Sequence, residues 1–143
     1  MADRMTILVG TVGQGIIRSE DGGENWQRMG INSGLHSDAL VRTVVNHPDH
    51  PEVVFTGTDK GLYRSEDGGK NWEHILFRSD KAGAIDLSMD PNNPRILIAS
   101  FWEAHRNFWS LQSGGPGSSI YRSMDGGDSW EEITNNRGLP KGT

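Results

Sequence analysis

The chain has no cysteine, so neither disulfides nor thiolate metal sites are available to it. That composition suits a reducing compartment and, for the chain as written, predicts a cytoplasmic location. Long apolar runs are missing too: Ile7-Leu8-Val9 is the longest near the start, too short for a signal-peptide core or a membrane span. Hydrophobic residues make up only 34% of the 143 residues. Positive charge is not in excess. The formal net charge is −5 and the basic residues are scattered singly, which argues against a reader of nucleic-acid phosphates or a lipid-binding patch. The five histidines, His36, His47, His50, His74 and His105, show no metal-ligand spacing, so no metal and no cofactor is expected. Neither a phosphate-cradling glycine loop nor a supported Ser-His-Asp order is present.

Glycine, by contrast, is abundant at 19 residues, which suits short strands and tight turns better than helix bundles. Much of it falls in a phrase written three times: Arg18-Ser19-Glu20-Asp21-Gly22-Gly23-Glu24-Asn25-Trp26, Arg64-Ser65-Glu66-Asp67-Gly68-Gly69-Lys70-Asn71-Trp72 and Arg122-Ser123-Met124-Asp125-Gly126-Gly127-Asp128-Ser129-Trp130. Its aspartates at 21, 67 and 125 lie 46 and 58 residues apart. Repetition with that period marks stacked or radially arranged supersecondary units. Two P-x-x-P turns, Pro48–Pro51 and Pro91–Pro94, set the register. From the second turn to its aspartate is 31 residues against 16 for the first, so the last unit carries about 15 extra residues between Phe101 and Ser118.

Between these landmarks the middle unit predicts four short strands: Val41–Val45, Val53–Thr56, Gly61–Ser65 and Trp72–Leu76. The third unit repeats them at Ala84–Met89, Arg95–Ser100, Ser119–Ser123 and Trp130–Thr134. The first offers three, at Thr6–Thr11, Gly15–Ser19 and Trp26–Met29. The expectation is an all-β chain, a propeller segment of about three four-stranded antiparallel blades with eleven strands in all. A partial blade 1 covers 5–30, blade 2 covers 40–77, and blade 3 covers 83–135 with an inserted loop at 101–118. The whole of 1–143 is one domain. Such a ring is incomplete unless copies associate or further blades belong to a longer chain. The last stretch, Asn135–Thr143, reads as a lead-in to another blade.

The phrase has a folding purpose at every position. Its aspartate can accept backbone N–H bonds across a turn, its glycines can take positive φ, and its serine can add a hydroxyl bond. The tryptophan is large enough to seal one blade against another, given a carbonyl for its indole N–H. An Asp-Gly-Gly run does not supply the alternating oxygens of a calcium loop.

This pattern resembles the Asp-box, the bacterial neuraminidase repeat S-x-D-x-G-x-T-W. The matching residues are Ser19, Asp21, Gly23 and Trp26; Ser65, Asp67, Gly69 and Trp72; and Ser123, Asp125, Gly127 and Trp130. Asn25, Asn71 and Ser129 replace its threonine. The resemblance implies a β-propeller, a fold shared by sialidases, xyloglucanase-type glycosidases, sortilin-type receptors and photosystem II assembly factors. The stretch Gly83–Asp86, Met89–Arg95 and Trp102–Ala104, with Ser113–Gly117, is most similar to sortilin-type bacterial propellers often labelled glycosyl hydrolases.

Two functions remain open. The first is a non-catalytic scaffold or binding module for a carbohydrate or protein, self-associating to complete a ring. The other is a fragment of a sialidase-like or xyloglucanase-like glycoside hydrolase. The inserted segment, a second-to-third connection, should project opposite the repeated corners. Its Trp102, Glu103, His105, Arg106 and Trp109 are the candidate ligand-binding residues, able to stack on sugar rings or anchor a peptide. Equally, Phe101, Trp102, Phe108 and Trp109 could fold back as a local apolar cap. Hydrolysis needs two carboxyl groups roughly 5–9.5 Å apart. Asp38, Glu103 and Asp80 share the expected face, but no spacing brings two of them together, so no catalytic residue is assigned.

Overall fold

A computed structural model describes residues 4–141; Gly142 and Thr143, the end of the expected lead-in, lie outside them, as do residues 1–3 of the domain span. Among the described residues twelve strands form three antiparallel sheets. Sheet 1 holds β1 (Ile7–Gly10), β2 (Ile16–Ser19) and β3 (Gln27–Met29). A 3-10 turn at Ile31–Ser33 leads on to sheet 2, with β4 (Val41–Asn46), β5 (Val54–Thr58), β6 (Gly61–Ser65) and β7 (Glu73–Leu76). Sheet 3 contains β8 (Ala82–Met89), β9 (Leu97–Arg106), β10 (Leu111–Ser113), β11 (Ser119–Ser123) and β12 (Glu131–Glu132). Sheets 1 and 2 are meanders, sheet 3 sets β8, β9, β11 and β12 side by side with β10 paired to the extension of β9, and the sheets pack face on face as propeller blades do.

Alternation along the strands explains the stacking. On β5, Val54 faces sheet 1 while Phe55 faces sheet 3; on β6, Tyr63 and Leu62 divide the same way. One apolar cluster joins Ile16, Met29 and Leu35 to Val54, Tyr63 and Trp72. The other joins Phe55 and Leu62 to Leu87, Leu97, Ala99 and Phe101. Sheet 2 is therefore covered on both faces, which is why β5 is buried at every residue. The sheets approach closely where side chains vanish: a Cβ on Gly57 would lie 2.6 Å from the Ala84 carbonyl oxygen.

The three repeated corners share one hydrogen-bond plan. In the middle copy the Ser65 hydroxyl donates to Asp67 Oδ1 (2.8 Å) and accepts the Gly69 N–H (2.8 Å). The Asp67 carboxylate accepts the backbone N–H of Asn71 (2.9 Å) and its side-chain amide (2.8 Å). Ser19–Asp21 and Ser123–Asp125 repeat the arrangement. Both glycines of every corner have positive φ, between 72° and 102°, a region that side-chain-bearing residues rarely enter. Each tryptophan donates its indole N–H to the carbonyl of the second glycine, at 2.8, 3.0 and 3.1 Å.

The inserted segment differs from the expected loop. Strand β9 runs on through Arg106, turns at 107–110, and returns as β10, pairing Leu111 with Arg106 and Ser113 with Ala104. The alternation of Phe101 and Glu103 inward against Trp102 and Ala104 outward is strand periodicity, continuing that of Leu97 and Ala99. The sequence reading stopped the strand at Ser100, which accounts for eleven strands expected and twelve found. Asn107 makes the turn, its side-chain oxygen accepting the N–H of Trp109 (2.9 Å) and of Ser110 (2.7 Å).

Candidate functional site

Where the hairpin leaves sheet 3 it overhangs a cavity of about 590 Å³. The floor comes from sheet 2 through Arg42 on β4 and Asp59 in the β5–β6 turn. Asp80 and Lys81 enter from the β7–β8 connection, and Trp102, Glu103, His105 and Arg106 from β9. These residues lie in, or on strands beside, second-to-third and fourth-to-first connections, so the cavity opens on the side away from the repeated corners.

Two of the three carboxylates are engaged by backbone. Asp59 Oδ1 accepts the Leu40 N–H at 2.8 Å. Glu103 Oε2 accepts the Gly117 N–H at 2.7 Å, and the Glu103 N–H donates to Ser118 Oγ at 3.0 Å. The Glu103 side chain fits beneath the glycine-rich return segment so tightly that a Cβ on Gly115 would lie 2.6 Å from its Cδ. Arg78 clasps the same segment from outside, donating to the Pro116 carbonyl (3.2 Å), Tyr121 Oη (3.3 Å) and Glu132 (3.3 Å). Glu103 is thus 8% exposed and braces a loop. Trp102, at 36%, presents indole surface at the cavity edge.

Four of the five candidate ligand-binding residues, Trp102, Glu103, His105 and Arg106, converge on this cavity. Trp109 does not: it stands on the hairpin tip, 92% exposed, beside a fully exposed Phe108. The expected apolar cap is split accordingly, with Phe101 buried in the core and Phe108 and Trp109 in solvent. Asp80 lines the cavity; Asp38 does not line it and is paired with His36. Arg42, Asp59 and Lys81 were missed. For Asp59 a signal existed, because it occupies in sheet 2 the connection that the hairpin occupies in sheet 3. Nothing in the spacing of Arg42 or Lys81 marked them. Among the described residues no group of three His, Asp or Glu side chains could hold a metal ion.

None of the twelve corner residues lines this cavity; each set assembles in its own turn. There the hydrogen bonds dominate the ionisation of the aspartates. The Asn25 backbone N–H, the Asn25 amide and the Ser19 hydroxyl hold Asp21 well below the usual carboxylate range. Burial pushes Asp67 up, yet the bonds from Asn71, Ser65 and Lys70 outweigh it and bring it down to about 2. Bonds from the Ser129 side chain and backbone, with Ser123, bring Asp125 to about 2.

The chain matches the family model described as sortilin, neurotensin receptor 3 (Sortilin-Vps10) over residues 14–138. No curated protein matches it. Among solved structures it is similar to an ancestral GH74 enzyme, at 24% identity and TM-score 0.61, over 91% of this chain and 16% of that one. It is also similar to the GH74 xyloglucanase from Xanthomonas campestris (18% identity, TM-score 0.43, 89% of this chain and 28% of that one). A third is YCF48 bound to D1 peptide (19% identity, TM-score 0.49, 92% and 38%). The chain therefore spans well under half the length of these proteins. At such identity the ancestral enzyme speaks for the fold, a segment of a β-propeller, and not for an activity.

Proposed function

Because the chain belongs to the sortilin family of propeller domains, we propose that it is a non-catalytic propeller scaffold that binds an oligosaccharide or an extended peptide beneath its hairpin. The repeated corners are Asp-boxes in this reading, and serve the fold. Further blades complete the ring, supplied by a longer chain or by other copies.

The cavity between sheets 2 and 3 carries the functional claim. It combines one partly exposed indole, Trp102, with both signs of charge, Arg42, Lys81 and Arg106 against Asp59 and Asp80. A few polar groups around an aromatic surface suit hydroxyl- or amide-rich ligands. Calorimetric titration with xyloglucan, chitin and sialylated oligosaccharides and with a peptide library tests it. Binding without turnover, weakened at least tenfold by Trp102→Ala, is the expected result. Absence of binding across these panels would sink the reading.

A glycoside hydrolase fragment, sialidase-like or xyloglucanase-like, is the second reading. One observation favours it: Asp80 and Glu103 line the same cavity. Against it, Glu103 is committed to the Gly117 N–H. Turnover of aryl glycosides that Glu103→Gln abolishes would establish the enzyme.

A further inference from the structure

Strand β9 outruns its neighbour β8, and the overrun leaves a strand edge without a partner inside the chain. The pairing of β8 with β9 begins at Ala82, opposite Glu103. Just before it Asp80 and Lys81 form a turn that a bridge between Ser79 and Ala82 closes. Past Glu103, therefore, Ala104, His105 and Arg106 have β10 along one edge and no strand of this chain along the other.

The bonds on the β10 side decide which backbone groups meet the bare edge. The Asn107 N–H donates to the Ser110 carbonyl (2.9 Å) and the Gly114 N–H to the Glu103 carbonyl (2.9 Å). His105 stands opposite Gln112 between those two pairs. Odd-numbered residues of the overrun thus turn their N–H and C=O toward β10, and in an antiparallel ladder the residues between them turn theirs the other way. Trp102, of that second parity, is opposite Gly83 on β8. Ala104 and Arg106 continue its direction with no strand to receive them. Among the described residues their backbone N–H and C=O groups have no backbone partner.

This edge opens into the cavity beneath the hairpin. Five consecutive residues, Trp102 to Arg106, line that space. A strand seen face-on offers alternate residues, whereas a strand seen along its edge offers every one. Arg42 and Asp59 of sheet 2 also line it, so walls on both sides belong to this chain. The volume, about 590 Å³, fits a short extended segment rather than the edge of a second folded sheet. Edge-to-edge pairing of two copies would moreover crowd Arg106 and Lys81 of both together, the kind of like-charge contact that keeps sheet edges apart.

We propose that an extended peptide adds to sheet 3 as a strand beside Ala104 and Arg106, in line with β8 and antiparallel to β9. Ala104 and Arg106 each exchange both backbone bonds with the peptide residue opposite. Alternate peptide side chains enter the space toward Arg42 and Asp59 and set the sequence preference. The inference rests on the reading of the cavity as a ligand site and chooses the peptide over the oligosaccharide, because a sugar chain carries no amide repeat to match a strand edge.

Selection from a randomised library of end-capped octapeptides, then calorimetry of the tightest binder and of its single backbone N-methyl derivatives, tests it on the 143-residue chain. Methylation at the alternate residues that face the edge should weaken binding roughly tenfold or more, and at the residues between them by less than about twofold. Ala104→Pro deletes an N–H that no internal bond uses, so it should weaken the same peptide comparably while the thermal midpoint holds. Binding indifferent to the position of the methyl group overturns strand addition, and does so on the wild-type chain whatever the proline does to the fold. Sugar binding with no peptide selected overturns it as well but leaves the cavity a ligand site. Silence from peptides and sugars alike brings down both readings.

Discussion

Each corner aspartate is worth what its hydrogen bonds are worth, and those bonds need the carboxylate ionised. Asp67 has a folded pKa of about 2 against an ordinary value of 3.8. A depressed acid contributes stability that is fully present above its unfolded pKa and is lost as pH falls through the folded one. The loss should therefore run from about pH 4 down to about pH 2. Asp125 loses its share in the same window and Asp21 lower still. Solvent at these half-open turns trims the effect. Replacing Asp67 with Ala removes acceptors for Lys70 and Asn71, which should cost about 2 kcal/mol near neutral pH. Denaturant titrations of the wild type and of Asp67→Ala at pH 7 and pH 3 measure both. The gap between the two proteins should narrow at the lower pH, and a constant gap would contradict the assignment.

Among the elements, the hairpin on β9 separates what the sequence made legible from what it hid. The corners were readable because each residue acts locally: the serine, aspartate and glycines satisfy bonds within five residues. The sheets were readable from period-two alternation between turn signals. The hairpin was harder, because Phe101–Ala104 alternates in burial without alternating cleanly in hydrophobicity. Glu103, an inward residue, is charged, and Trp102, an outward one, is aromatic. Only the contact with Gly115 and Gly117, fourteen residues downstream at the latter, shows why a carboxylate points inward. The cavity residues Arg42 and Lys81 were unreadable for the same reason, since nothing local records which sheets will face each other. A stability test follows from this placement. Glu103→Ala orphans the buried Gly117 N–H and should cost about 1–3 kcal/mol. The pair Phe108→Ser/Trp109→Ser, on the exposed tip, should leave the thermal midpoint within about 1 °C. Differential scanning calorimetry compares them. Equal losses would mean that the tip packs against something the isolated sheets do not show.

For the whole molecule, the arrangement divides labour between its surfaces. Corners and their tryptophans lie on one side and at the sheet junctions, while the cavity opens on the other side and draws its walls from sheets 2 and 3 of a single chain. No corner residue lines the cavity, so folding and ligand binding should separate by mutation. Trp102→Ala should weaken a ligand bound beneath the hairpin at least about tenfold while the sheets stay folded. Asp125→Ala should do the reverse, lowering the denaturation midpoint while leaving the dissociation constant within about twofold of the wild type. Paired calorimetry and denaturant titration on the two variants check this separation. Should Asp125→Ala lose the ligand with its sheets intact by circular dichroism, the binding surface must extend to the corners, and the cavity as drawn would be only part of it.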